Sequence, residues 1–149
     1  MTQDVLVTIS GLQAMENEEF SNEENEPIEI ISPAKYYNKN GKHYILYDEV
    51  MEGFSGVIKN KIKITGDSTV EIIKSGLTNS HMVFENGKSN VTYYSTPFGQ
   101  MHMEMHTRNL EVGITEDRID IDVDYRLDVN GEPAADCRIV MNIKSKNKR

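Results

Sequence analysis

The stretch Arg118-Ile119-Asp120-Ile121-Asp122-Val123-Asp124-Tyr125-Arg126-Leu127-Asp128-Val129-Asn130-Gly131 decides the fold. Its positions Ile119, Ile121, Val123, Tyr125 and Leu127 are apolar, while Asp120, Asp122, Asp124, Arg126 and Asp128 between them are charged. Successive side chains of a strand point to opposite faces, so the segment lays an apolar row on one face and a mostly acidic row on the other. One face meets a core and the other meets water, as in an antiparallel sheet. Asn130-Gly131 then supplies a pair that accepts the positive φ angles of a two-residue hairpin turn.

The same turn device recurs at Asn40-Gly41 and Asn86-Gly87, and Gly66-Asp67 suits the related turn with glycine first. Between these turns lie strand-length runs at 5–12, 34–37, 44–47, 57–65, 69–75, 81–85, 89–96, 101–112, 118–129 and 135–145. No stretch longer than about eight residues repeats at the i, i+3, i+4 spacing of an amphipathic helix, which disfavours crossover helices and parallel strands. An open sheet of about ten strands would expose long unpaired edges, and closure into a barrel or folding into a sandwich removes them. Sequential hairpins favour the barrel. The expected fold is therefore all-β, an antiparallel up-and-down β-barrel of about 8–10 strands in a single domain spanning 1–149.

Two segments stand outside this pattern. Residues 16–26 hold six glutamates in eleven positions and cannot bury apolar area, so a mobile acidic loop is expected there. They lack the ligand spacing and central glycine of a calcium loop. The basic tail at 144–149 is expected to be frayed and solubilising.

The net charge of -8 opposes nonspecific contact with nucleic acid or anionic membranes. The single cysteine, Cys137, cannot form an internal disulfide, and the start Met1-Thr2-Gln3-Asp4-Val5-Leu6 lacks the basic and apolar regions of a secretory signal. No apolar run approaches the roughly 18 residues of a membrane span. A cytoplasmic protein is the expectation.

Several pieces occur in one order: Tyr44-Ile45-Leu46-Tyr47-Asp48-Glu49, Lys74-Ser75-Gly76, Met82-Val83-Phe84-Glu85-Asn86-Gly87, Tyr93, Thr96-Pro97-Phe98-Gly99, Thr107, and Tyr125 to Gly131. In these the chain resembles the YwiB-like family of bacterial proteins, over roughly residues 3 to 145. The resemblance implies a calycin-like barrel, related in shape to lipocalins, and brings with it no activity and no catalytic residues. Lys74 stands where the resemblance leads one to expect arginine, so a bidentate guanidinium contact is lost there.

Candidate chemistry is sparse. In Met101-His102-Met103-Glu104-Met105-His106 a regular strand places His102, Glu104 and His106 on one face, about 6.7 Å apart in steps of two, and such a set can hold zinc or nickel. Asp120, Asp122 and Asp124 on the next strand are candidates for further oxygen ligands. Against this, the three methionines are the natural core-facing set, which puts the histidines on an ordinary charged exterior. The apolar phase changes from Met101, Met103 and Met105 to Leu110 and Val112, which implies a bulge near 107–109.

All seven tyrosines fall in strands, and an inward tyrosine brings apolar area together with a hydroxyl that needs a partner. Tyr44, Tyr47, Tyr93 and Tyr125, with Phe98 near the mouth, are the candidate lining of an internal ligand site. No nucleophile elbow, cysteine–histidine signature or phosphate-binding glycine loop appears, and Cys137 reads as a small buried hydrophobe. The expectation is a non-catalytic barrel without cofactor that binds a small amphipathic molecule in its interior. The alternative is a structural or protein-interaction module with a filled barrel, acting through its surface or as a homodimer.

Overall fold

A computed structural model describes residues 1–15, 28–50 and 53–146. It contains ten strands: β1 Asp4–Met15, β2 Ile28–Lys39, β3 Lys42–Val50, β4 Val57–Thr65, β5 Thr69–Gly76, β6 Ser80–Glu85, β7 Ser89–Thr96, β8 Gly99–Ile114, β9 Arg118–Val129 and β10 Glu132–Ser145. The acidic run at 16–26 lies outside the described residues. Of the basic tail, Lys144 and Ser145 belong to β10 and the Lys146 N–H donates to the Asp4 carbonyl, while residues 147–149 are also outside.

The strands form one antiparallel sheet in the order β6-β5-β4-β3-β2-β1-β10-β9-β8-β7. Every hairpin neighbour but one is a ladder neighbour, and β1 pairs with β10 from Val5↔Ser145 to Met15↔Ala135. The result is a nearly closed up-and-down barrel whose remaining seam runs between β6 and β7. Turn chemistry accounts for this. Asn40-Gly41 and Asn130-Gly131 take positive φ at both residues and join regular hairpins, as their sequences require. At Asn86-Gly87 only the glycine does so, and β6 and β7 leave that turn without a ladder. They meet instead at an isolated Asn79↔Ser95 bridge and through Thr92 Oγ1, which accepts the His81 N–H at 3.1 Å.

A contiguous apolar cluster lies inside the barrel. In β9, Ile119, Ile121, Val123 and Tyr125 are buried as their alternation demands. Met103 and Met105 point inward from β8, and the register shift between Thr107 and Asn109 is the bulge that their change of phase implies. Phe84 of β6 packs against Tyr125 of β9 across the barrel, with ring centroids 4.9 Å apart. Cys137 is buried in this cluster, and burial pushes its thiol up. Among the described residues there is no helix long and apolar enough to cross a membrane.

A second interruption lies between β2 and β3. Their ladder ends at Lys35↔Leu46, although β2 runs back to Ile28 and β3 on to Val50. Pro33 explains the break. The Tyr36 N–H donates to Gln3 on the β1 side, so alternation directs the amide positions of Lys35 and Pro33 toward β3, and proline has no donor to give. Beyond Pro33, β2 stays with β1 and β3 stays with β4.

Candidate functional site: a polar belt beside a split sheet

The inward faces of β3, β4 and β5 are mostly apolar, but near one end of the barrel each carries a polar residue, followed on β4 by the buried Ile58. Ile45 is followed on its face by Tyr47 and Glu49, Ile62 by Asn60, and Ile72 by Lys74. Backbone register aligns them: Tyr47 is opposite Asn60, Asn60 opposite Lys74, and Lys74 opposite Ser80. A polar belt therefore crosses four adjacent strands at one level.

The belt is internally bonded. Lys74 Nζ donates to Glu49 Oε1 at 3.0 Å and to Asn60 Oδ1 at 2.8 Å, while Asn60 Nδ2 donates to the same Glu49 oxygen at 3.0 Å. Burial pushes the Glu49 carboxyl up, but the hydrogen bonds from Lys74 and Asn60 outweigh it and hold the group below its usual range. Burial, and then the Glu49 charge, push the phenols of Tyr47 and Tyr94 upward, so both stay protonated and able to donate. Lys74 thus satisfies two partners with one ammonium, where the resemblance leads one to expect a guanidinium.

Two hydroxyls at this level are unmatched. Thr78 is 1% exposed and Ser80 7%; among the described residues the Ser80 oxygen has no hydrogen-bond partner, and the Thr78 hydroxyl has none of good geometry, its polar neighbour being the Tyr94 phenol. A buried polar group without a partner costs about 1–3 kcal/mol, so such atoms mark places where water or a ligand belongs. The β5–β6 connection that carries them is rigidly built. Gly76 has φ of 110°, and a Cβ there would come within 2.5 Å of the Val57 carbonyl oxygen. Its N–H and C=O are both bonded by the Asn79 side chain. Phe54 and Phe98, from the β3–β4 and β7–β8 connections, meet edge to face at 5.7 Å at this end.

The split between β2 and β3 opens from outside toward the same level as a cleft of about 910 Å³, with Ala34, Tyr47 and Asn60 among its lining residues. Its outer wall includes one aligned row, Asp4–Lys35–Leu46–Lys61–Ile73. Lys35 pairs with Asp4 and Lys59 with Asp48, and Lys61 and Lys146 complete the basic rim.

The five aromatics expected to line an interior site do not share one surface. Tyr47 and Tyr125 point inward, but Tyr125 is enclosed by the core. Tyr44 lies on the outer face, with Lys63 Nζ 5.9 Å above its ring. Tyr93 is outward and 59% exposed, and Phe98 stands on the rim, 82% exposed.

The candidate metal set is also rearranged. His102, Glu104 and His106 do share the outer face, but the ring of His102 lies against Tyr93, and the ligand atoms that converge are those of Glu104, His106 and Asp128, all within 4.8 Å of one another. The register explains the change, because β8 pairs with β9 as Glu104↔Asp128 and leaves Asp120, Asp122 and Asp124 beside residues 109–113. His106 Nε2 lies 2.8 Å from Asp128 and its Nδ1 2.6 Å from Ser89 Oγ, while Arg126 donates to both Asp128 oxygens. His106 and Asp128 are already engaged by these hydrogen bonds, and Glu104 Oε1 lies 3.8 Å from His106 Nε2.

Glu49, Asn60, Thr78, Ser80 and Tyr94 were not among the expected site residues. The available signal was a polar residue at the same end of three apolar strand faces, and only the register makes those three ends coincide.

The crystal structure of the ywiB protein from Bacillus subtilis superimposes with a TM-score of 0.76 over 99% of this chain and 96% of that one, at 22% identity. In sequence, the "Uncharacterized beta-barrel protein YwiB" of Bacillus subtilis (strain 168) is 25% identical over 132 residues, 89% of this chain and 88% of that protein. Tyr47, Glu49, Lys74, Gly76 and Phe98 all lie in the segments that carry the resemblance, and all fall at this end of the barrel. Residues 14–141 match the family model described as "Domain of unknown function (DUF1934)", and the chain belongs to that family.

Proposed function

We propose that this barrel is a non-catalytic binding module that takes a small amphipathic molecule at the cleft between β2 and β3, with the polar belt behind it. The observation that carries the reading is the split itself. Pro33 withholds a ladder donor, and the opening exposes Leu46 and Ile73 beside Tyr47 and Asn60, which join it to the belt. A concave, mostly apolar site with a few convergent polar groups is what small ligands require, and its volume is in the usual range. This places the site on the wall that carries the split, outside the apolar cluster of the interior.

The test is thermal unfolding of the full chain with medium-chain amphiphiles. A ligand at 100 times its Kd stabilises by about 2.7 kcal/mol, which raises Tm by roughly 5–10 °C at this size. Leu46→Glu, which places a charge in the apolar wall, should remove that shift. Absence of stabilisation by every amphiphile counts against the reading.

A second reading, an interaction module with a filled barrel, draws on the outer face of β7, where Val91 and Tyr93 stand exposed next to the unladdered seam. An edge strand with apolar side chains can recruit a second copy. Sedimentation of the wild type and of Tyr93→Asp tests it: a dimer dissociated by the substitution supports it, and a monomer at all concentrations removes it.

A further inference from the structure

We propose that the belt of Glu49, Asn60, Lys74 and Ser80 seats an uncharged head group that bears both a hydrogen-bond donor and an acceptor, such as a hydroxyl or an amide. The inference rests on the binding role proposed above and names the chemistry of the ligand's polar end.

Charge balance comes first. Glu49 and Lys74 neutralise each other at 3.0 Å, so the belt has no net charge to offer. An anionic head brought into it would face the Glu49 carboxylate, and a cationic head would face the Lys74 ammonium. The other member of the pair attracts the same head, so the two Coulomb terms largely cancel and an anion or a cation is left with an uncompensated desolvation cost. A neutral head avoids that cost.

Hydrogen-bond inventory comes second. Lys74 uses two of its three N–H donors on Glu49 and Asn60, and Glu49 receives both of its bonds on Oε1. One ammonium donor and one carboxylate acceptor therefore remain for a guest. The Ser80 hydroxyl is buried and unmatched among the described residues, the buried Thr78 hydroxyl has only the Tyr94 phenol beside it without good hydrogen-bond geometry, and each can donate or accept. Ser80 stands directly opposite Lys74 in the register, so donor, acceptor and hydroxyl lie at one level. A group that both gives and accepts hydrogen bonds satisfies them together.

The experiment uses the full chain and three probes with one tail: monodecanoyl glycerol, decanoate and decylammonium. Affinities are measured by titration calorimetry on the wild type, Ser80→Ala, Thr78→Val and Lys61→Glu, with thermal unfolding of each variant to establish that it is folded. The neutral probe is expected to bind at least about tenfold more tightly than either charged one. Loss of a buried hydrogen bond in Ser80→Ala is expected to weaken it by about five- to tenfold. Thr78→Val, which keeps the branched shape, serves as a second reading of the same loss.

Tightest binding by decanoate, weakened by Lys61→Glu and indifferent to Ser80→Ala, places the head on the basic rim. That outcome overturns the inference while leaving the binding role intact. Neutral binding unaffected by both hydroxyl substitutions also overturns it, as does a crystal of the monodecanoyl glycerol complex with only water at Ser80 and Thr78. If none of the probes binds, the binding role falls and the head-group assignment falls with it.

Discussion

Replacing Gly76 by alanine tests how firmly the β5–β6 connection is held, because two independent terms act at one atom. The backbone there has φ of 110°, a region that side-chain-bearing residues rarely occupy, and enforcing it costs about 1–3 kcal/mol. The new Cβ would also sit 2.5 Å from the Val57 carbonyl oxygen, a backbone atom that cannot rotate away. Relief requires separating β4 from β5 at the Ile58↔Gly76 pair, which ends their ladder. Together the terms amount to about 3 kcal/mol or more, and at this size that lowers Tm by roughly 6–12 °C. Urea unfolding followed by circular dichroism measures the change at constant m. Gly113→Ala is the control, since it lies in a strand with no positive φ and nothing within 4 Å of the added methyl, and it is expected within about 1 kcal/mol of wild type. A Gly76→Ala protein as stable as the control would refute the reasoning, and with it the claim that this turn rigidly delivers Thr78 and Ser80 to the belt.

Lys74→Met leaves Glu49 and Asn60 without their shared donor and is expected to cost about 1–3 kcal/mol by urea unfolding, whereas Lys74→Arg, which keeps the charge, is expected within about 0.5 kcal/mol. Thr107→Val removes a buried hydroxyl that has no partner among the described residues while keeping the branched shape, and should raise stability by about 1 kcal/mol. Burial pushes the Asp128 carboxyl up, but bonds from His106 and Arg126 outweigh it and hold the group below its ordinary value of about 3.9. A depressed folded pKa gives stability that is present above the ordinary value and lost as pH falls through the folded one, so Asp128→Asn should flatten the acid limb of a stability profile below about pH 4. An unchanged acid limb would show that the His106 and Arg126 contacts are not made in solution.

The strands were legible wherever the two faces differ in polarity. From Arg118 to Asp128 the alternation is strict, and the buried residues of β9 follow it. The methionines of β8 and the bulge after Thr107 follow from the same arithmetic. Orientation was not legible where both faces are apolar. In Tyr44-Ile45-Leu46-Tyr47 either parity buries one aromatic and one aliphatic residue, and the structure buries Ile45 and Tyr47. Around Tyr93, Thr92 and Tyr94 give no contrast, and Tyr93 proves to be outward. Register was the other missing quantity. Asp128 rather than Asp120 stands beside Glu104 because the pairing is counted from the short β8–β9 connection through a bulge. The belt depends on register in the same way, since Asn60, Lys74 and Ser80 are unremarkable polar residues until they are aligned.

The two interruptions of the sheet flank one and the same panel. On one side β3 leaves β2 after Leu46↔Lys35, and on the other β6 meets β7 at a single bridge. The four strands between, β3 to β6, are laddered to one another along their shared lengths, from Val50↔Val57 through Lys74↔Ser80. On the β2 flank they are tied at the barrel end that holds the Asn40-Gly41 turn, and on the β7 flank the Asn79↔Ser95 bridge ties them at the opposite end, beside Ser80. The belt crosses these four strands toward that opposite end, where the β2 flank has no ladder. A closed ladder would have sealed that level with backbone hydrogen bonds and left no reason for unmatched hydroxyls inside it. Pro33, which withholds a donor on the β2 flank, is the sequence feature that keeps it open on that side, while the Asn79↔Ser95 bridge and the His81 N–H bond to Thr92 hold the β7 flank. The polar belt and the break at Pro33 are therefore parts of one arrangement, and the binding reading follows from their coincidence rather than from either alone.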